Sequence, residues 1–232
     1  MQINKISIII PCFNEKSTIT QTIEKVKEFK DFPIEIIIVD DHSNDGSVDL
    51  IKSFNDDKII KIFHDRNYGK GRALRSALEK CSGDIVLIQD ADLEYSPKDY
   101  KKLLQPFLDT DADVVYGSRF LGGDSYVRIH FYYHYLANKI LTHLCNIFTN
   151  LNMTDMETGY KVFKLKCIKS IKIRENSFGV EPEITMKLAR KNYKFYEVGI
   201  SYNGRSYEEG KKITIKDAFR AVYCIIKYHF FD

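Results

Sequence analysis

Apolar residues are clustered at the start of the chain: Ile6, Ile8, Ile9 and Ile10 predict a buried strand over Lys5–Ile10 that stops at Pro11. The period then changes. Ser17 or Thr18 can cap a helix whose inward face is Ile19, Ile23, Val26 and Phe29. A second strand over Ile34–Val39 runs into Asp40-Asp41, and a short helix over Gly46–Phe54 follows. Lys58–Phe63 reads as a third strand and Gly71–Cys81 as a helix with Ala73, Leu74, Ala77, Leu78 and Cys81 inward. Ile85–Ile88 is the fourth strand. Pro97 starts a helix carrying Tyr100, Leu103, Leu104 and Phe107, and Asp113–Tyr116 is the fifth strand. Strands alternating with helices predict an α/β fold, a mostly parallel central sheet with helices on both faces.

The pattern changes after Gly122-Gly123. An aromatic helix over about 129–149 follows, then mixed elements, then a basic-aromatic helix from Ile215. No repeat or low-complexity linker divides the chain. All 232 residues read as one domain, with an alternating part over 1–122 and an elaborated part over 123–232.

Composition narrows the function class. A net charge of +3 gives no support for nucleic-acid binding. Five scattered cysteines without a CxxC pair read as reduced, buried thiols. The N-terminus lacks a signal-peptide shape, which predicts a cytoplasmic protein. The best spanning candidate, 131–151, is interrupted by Asn138, Lys139, His143, Asn146 and Asn150, so any membrane contact is predicted to be peripheral.

Chemistry is expected where strands end. The apolar run Ile85–Ile88 leads into Gln89-Asp90-Ala91-Asp92. In open α/β sheets ligands bind at that edge. Two carboxylates around one small residue suit a shared hard divalent cation, Mg²⁺ or Mn²⁺, which in turn grips a diphosphate. Four further clusters accompany them: Pro11-Cys12-Phe13-Asn14-Glu15, Val39 to Ser47, Asn67 to Ala73 and Gly117-Ser118-Arg119-Phe120. The Asn67 to Ala73 segment is no P-loop, but its amides open a helix and are placed to face a ligand.

The motifs IIIPCFNE, IIIVDDHSNDG, NYGKGRAL, GDIVLIQDADLEY, VVYGSRF and TDMETGYKVF resemble family-2 inverting glycosyltransferases of the GT-A, Rossmann-like fold. The likeness continues through FGVEPEIT and GISYNGRSYEEGKKI, and is narrower still to synthases that load dolichyl or polyprenyl phosphate with a sugar, of the dolichol-phosphate mannose synthase type. The resemblance implies that Pro11, Phe13 and Glu15 lie against the base and ribose, with Val39 and Asp41 also lining the nucleotide. Phe13 stands where the family usually has Tyr, so a stacking face remains without its hydroxyl. It further implies that Asp90, Ala91 and Asp92 line the diphosphate, with Asp90, Asp92 and Glu94 at the metal. Arg119 is implied near the diphosphate or acceptor phosphate, and Arg205 and Lys211 as the basic pair of a loop closing over the donor. Asp155 is either a base or acceptor-orienting group, or the partner in an N-cap or salt bridge.

The implied reaction moves mannose or glucose from a GDP- or UDP-sugar to a polyprenyl phosphate, for building cell-envelope glycans. Phe131, Tyr132, Tyr133, Tyr135, Leu136, Ile140, Leu144 and Phe148 suit a bilayer-facing surface beside Arg128, His130, His134 and Lys139, although core packing accounts for most of them. The last helix repeats this with Phe219, Val222, Tyr223, Ile226 and Phe230. A membrane-anchoring partner subunit is a further expectation. Three other readings remain open: a soluble or glycan acceptor, a sugar-binding module without turnover, and a sugar-phosphate nucleotidyltransferase. The last would place a Gly-rich loop after Ile10, where Pro11 to Glu15 stand instead.

Overall fold

A strand of seven residues, Ile6–Cys12 (β1), runs through the middle of a sheet built from both parts of the chain. The structure is a computed structural model that describes residues 2–122, 131–205 and 215–231. In chain order the further elements are α1 (Ile19–Lys27), β2 (Ile34–Asp40), α2 (Ser47–Ser53), β3 (Ile59–Phe63), α3 (Lys70–Leu78) and β4 (Ile85–Ile88). A 3-10 turn at Pro97–Asp99 leads into α4 (Tyr100–Asp109), followed by β5 (Val114–Ser118) and α5 (Tyr132–Thr149). The chain continues through β6 (Lys161–Lys164), α6 (Leu165–Lys169), α7 (Val180–Ala189), β7 (Phe195–Gly199) and α8 (Ile215–Phe230).

The described strands pair in the order β3-β2-β1-β4-β6-β5-β7. Only β6 runs antiparallel to its neighbours, β4 and β5; the other pairings are parallel. Because β6 inserts between β4 and β5, one sheet joins residues before and after the change of pattern near residue 122.

Alternation along the strands splits the core into two layers. Ile9, Ile37, Val39, Val86 and Ile88 face α3, α5, α7 and α8. Ile8, Ile10, Ile36, Ile38 and Leu87 face α1, α2 and α4 through Ile19, Ile23, Ile51, Leu103 and Phe107. Helices therefore cover both faces, as the alternating pattern predicts.

Two expectations change. The first strand continues through Pro11 to Cys12 instead of stopping. The carbonyls of Lys5 and Ile9 accept amides of Asp84 and Gln89, so odd residues of β1 face β4. Pro11 is odd and lies beyond Ile88, the last residue of β4, so its missing N–H breaks no pairing within that ladder. The aromatic helix also packs differently from the core reading. Leu141, Cys145, Leu144 and Phe148 join the core, whereas Phe131, Tyr132, Tyr133, Tyr135, Leu136 and Ile140 are exposed. Arg128 and His130 lie outside the described residues. All five cysteines are free and buried, as expected. Among the described residues no helix is long and apolar enough to cross a membrane.

Candidate active site at the carboxyl edge of the sheet

The loops after β1, β2, β4 and β5 gather charged side chains at one sheet edge, and two arginines organise them. Arg205 follows β7. Its Nη1 donates to Glu15 at 3.1 Å, and its Nη2 donates to Glu15 at 3.2 Å and to Asp92 at 3.0 Å. The Arg205 amide donates to Glu94 at 2.8 Å, and the Tyr202 hydroxyl donates to the other Glu94 oxygen at 2.8 Å. Glu15, Asp92 and Glu94 thus converge on one guanidinium. Burial, then the charges of Asp90 and Glu94, push the Asp92 carboxyl up to about 7 against the opposing pull of Arg205.

Asp90 points to a different partner. Lys70 Nζ lies 2.9 Å from Asp90 and 3.0 Å from Glu181 on α7. Burial disfavours the Lys70 ammonium, but those two carboxylates outweigh it and hold the group protonated. Ala91 between the pair is buried, and its carbonyl accepts the Thr22 hydroxyl at 3.1 Å. A small residue fits there because α1 packs directly against the loop.

Arg119 makes the second arrangement. Its Nε and Nη2 each donate to Asp155 at 2.7 Å, and its own amide donates to Asp155 at 3.0 Å. Asp155 is fully buried. Burial penalises both charges, yet their mutual attraction lowers the Asp155 carboxyl and raises the Arg119 guanidinium, so both stay ionised. The guanidinium lies 5.1 Å over the Tyr202 ring. Asp155 thus makes the salt bridge that was one of its expected roles, with both oxygens engaged and neither exposed.

The nucleotide-side expectations separate. Pro11 and Phe13 are half-buried at the end of β1, and buried Glu15 reaches Arg205. The Val39 side chain lies in the core, turned beneath the sheet by strand alternation, so only its backbone is left at the end of β2 to meet a ligand. Asp41 is buried and accepts the amides of Tyr68 at 3.0 Å and Gly69 at 2.6 Å, with His64 Nδ1 at 2.6 Å. Its carboxylate therefore shapes the turn that presents Lys70. The amide of Arg72 donates to the Gly69 and Asn176 carbonyls and that of Ala73 to Gly69, so these two amides, like those of Tyr68 and Gly69, are taken up within the protein. Gly69 adopts φ +98°, and a side chain there would strike the Asn176 backbone. Lys211 lies outside the described residues.

Lys70, Glu181 and Tyr202 are the site residues that sequence reasoning missed. Lys70 lies in the NYGKGRAL motif and Glu181 in FGVEPEIT, but with 111 positions between them nothing local marked either as a partner of Asp90. Glu157, Glu181 and Asp40 each keep one buried carboxylate oxygen without a hydrogen-bond partner. Among the described residues no three His, Cys, Asp or Glu side chains form a ready metal cage. Of the residues expected at a metal, Asp92 and Glu94 are held on the Arg205 guanidinium together with Glu15, and Asp90 is held on Lys70; all are oxygen donors of the type a hard cation takes.

Comparisons place this geometry among known proteins. The sequence model of the family described as Glycosyl transferase family 2 matches residues 7–171. An uncharacterised protein of Methanocaldococcus jannaschii is 26% identical over 97% of this chain and 99% of its own length. The undecaprenyl-phosphate 4-deoxy-4-formamido-L-arabinose transferase of Proteus mirabilis is 27% identical over 93% of this chain. The chain spans 65% of that relative, slightly less than two thirds of it. Among solved structures, glucosyl-3-phosphoglycerate synthase from Mycobacterium tuberculosis, in complex with Mn²⁺, uridine diphosphate and phosphoglyceric acid, aligns with TM-score 0.75 and 18% identity. That alignment covers 99% of this chain and 80% of the other. The same enzyme with Mg²⁺ and uridine diphosphate aligns with TM-score 0.73. At such identity the likeness shows the fold.

Proposed function

The chain belongs to glycosyl transferase family 2 and has the GT-A fold, and from that premise we propose that it transfers one hexose from a nucleoside-diphosphate sugar to a polyprenyl phosphate with inversion. The observation that carries the reading is the convergence of Glu15, Asp92, Glu94 and Arg205 beside Asp90 and Arg119 at the carboxyl edge of the sheet. A departing diphosphate gains negative charge there. Asp90, Asp92 and Glu94 would hold a Mg²⁺ or Mn²⁺ ion, which when bound neutralises that charge. Arg205 adds a guanidinium within reach of the same place, and Lys211 is the further basic group implied by the sequence.

The acceptor phosphate needs little help from a base. Its second pKa is about 6, so an ionised oxygen is available at neutral pH. That oxygen forms a bond to the anomeric carbon while the bond to the diphosphate oxygen breaks on the opposite face. Asp155 orients Arg119 for this step and takes no proton. Glu181, tied to Asp90 through Lys70, holds that lysine in place beside the carboxylate pair.

A lipid acceptor is supported by the exposed aromatic side chains of α5 and α8, among them Tyr132, Tyr133, Phe219, Tyr223 and Phe230. Arg220 and Lys227 stand beside them with their charges on Glu175. This surface would rest on the cytoplasmic face of a membrane, alone or with an anchoring subunit. The test is a donor screen with GDP-mannose and UDP-glucose, Mg²⁺ or Mn²⁺, and a short polyprenyl phosphate. Labelled sugar entering the organic phase supports the reading. The reading fails if labelled sugar reaches only aqueous product, which supports the second reading, a soluble acceptor. The likeness to glucosyl-3-phosphoglycerate synthase favours that alternative.

A further inference from the structure

The carboxylates that would hold the divalent cation are already occupied by a positive group. Arg205 Nη2 bridges Glu15 at 3.2 Å and Asp92 at 3.0 Å, and Nε reaches Glu94 at 3.4 Å. The guanidinium is anchored from its own backbone, since the Arg205 amide and the Tyr202 hydroxyl donate to the Glu94 carboxylate and the Asn203 amide donates to the Glu94 backbone carbonyl. A Mg²⁺ ion binds oxygens at about 2.0–2.1 Å, so a cation held by Asp92 and Glu94 would meet the guanidinium that both carboxylates now engage. Two positive groups cannot share that place in a partly dry pocket without strong repulsion.

We propose that Arg205 is a resident counter-cation that a divalent cation must displace, and that the nucleoside diphosphate draws it away. This rests on the cation requirement of the proposed reaction. Without nucleotide, Arg205 keeps the carboxylates neutralised and the cation binds weakly. With nucleotide, the diphosphate takes the guanidinium, Asp92 is released and the cation enters. Cation and nucleotide therefore bind cooperatively, and the coupling passes through one side chain. Such coupling is reciprocal: each ligand tightens the other by the same factor.

The experiment measures Mn²⁺ binding directly, by electron paramagnetic resonance or calorimetry, with and without UDP or GDP and with no sugar or acceptor present. Arg205→Gln is expected to bind Mn²⁺ alone about tenfold more tightly than the unchanged protein and to lose most of the enhancement by nucleotide. Arg205→Lys, which keeps the charge but not the fork, should fall between them. Thermal melts of both variants establish that they are folded. Mn²⁺ affinity that is unchanged or weaker in folded Arg205→Gln overturns the proposal, as does absence of Mn²⁺ binding in every protein. Failure of the transfer reading looks different: the exchange at Arg205 is intact, and no donor yields lipid-linked sugar.

Discussion

Two arginines stand at the same edge of the sheet with opposite surroundings. Arg119 meets one carboxylate, Asp155, in a two-pronged pair whose acidic member is fully buried. Arg205 meets three carboxylates, Glu15, Asp92 and Glu94, with looser distances of 3.0–3.4 Å. The electrostatic response differs accordingly. Asp155 is held below the usual carboxylate range by Arg119, whereas Asp92 is pushed up to about 7 by burial and by its acidic neighbours. A balanced pair has nothing to gain from a new ligand. An acidic cluster with one cation does, and that imbalance distinguishes the two arginines.

The balanced pair offers the largest effect. Asp155→Asn leaves a buried guanidinium without its counter-charge, and breaking such a pair costs about 3–5 kcal/mol. A chemical denaturation series should show that loss. A variant of unchanged stability that has lost transfer would instead return Asp155 to the role of base and dissolve the contrast.

The unbalanced cluster should behave the other way. Asp92→Asn is expected to lower sugar transfer about a hundredfold or more, because stabilisation of the departing diphosphate is lost. Its effect on stability has the opposite sign from that of Asp155→Asn. The Asp92 pKa is raised in the folded chain, so the unfolded chain gives up its proton first as pH rises and stability falls between about 4 and 7. Removing the group relieves that penalty, and the melting temperature at pH 8 should rise. A lower melting temperature would show that contact with Arg205 outweighs the crowding.

The two clusters were unequally legible in the sequence. The strands that present them were read from isoleucine runs and alternation, and β4 has the limits that the sequence predicts. Asp92 was singled out by its place at the end of an apolar strand, and Glu15, Glu94 and Arg205 took their expected roles from motif resemblance. Their convergence was not legible, because 111 positions separate Glu94 from Arg205. The pairing of Lys70 with Asp90 and Glu181 was hidden for the same reason. Strand β6, Lys161–Lys164, has two apolar residues among four, too few to announce a strand. Its antiparallel place between β4 and β5 depends on tertiary packing. The turn contacts of Asp41 with the Tyr68 and Gly69 amides were not legible, because a turn-capping Asp and a ligand-binding Asp read alike.

The opposite edge of the sheet holds a carboxylate that sharpens the contrast with the smallest expected effect. Glu35 on β2 accepts Ser7 Oγ at 2.6 Å and the Ser82 amide at 2.7 Å, and pairs with Lys5. Burial raises its pKa, but the contacts with Lys5, Ser7 and Ser82 outweigh it and bring it down to about 2. Every donor around Glu35 favours the charged form, the reverse of the acidic crowd around Asp92. The sign follows: its stabilising contribution is full above the unfolded value near 4.5 and is lost as pH falls towards 2. Lys5 is 40% exposed, so after solvent screening the contribution is of order 1 kcal/mol. Glu35→Gln should therefore unfold at lower denaturant than the unchanged chain at pH 7, with the two curves approaching each other below pH 3. A gap that persists at pH 2 would mean that Glu35 stabilises through packing and neutral hydrogen bonds, and that charge balance does not distinguish the two edges.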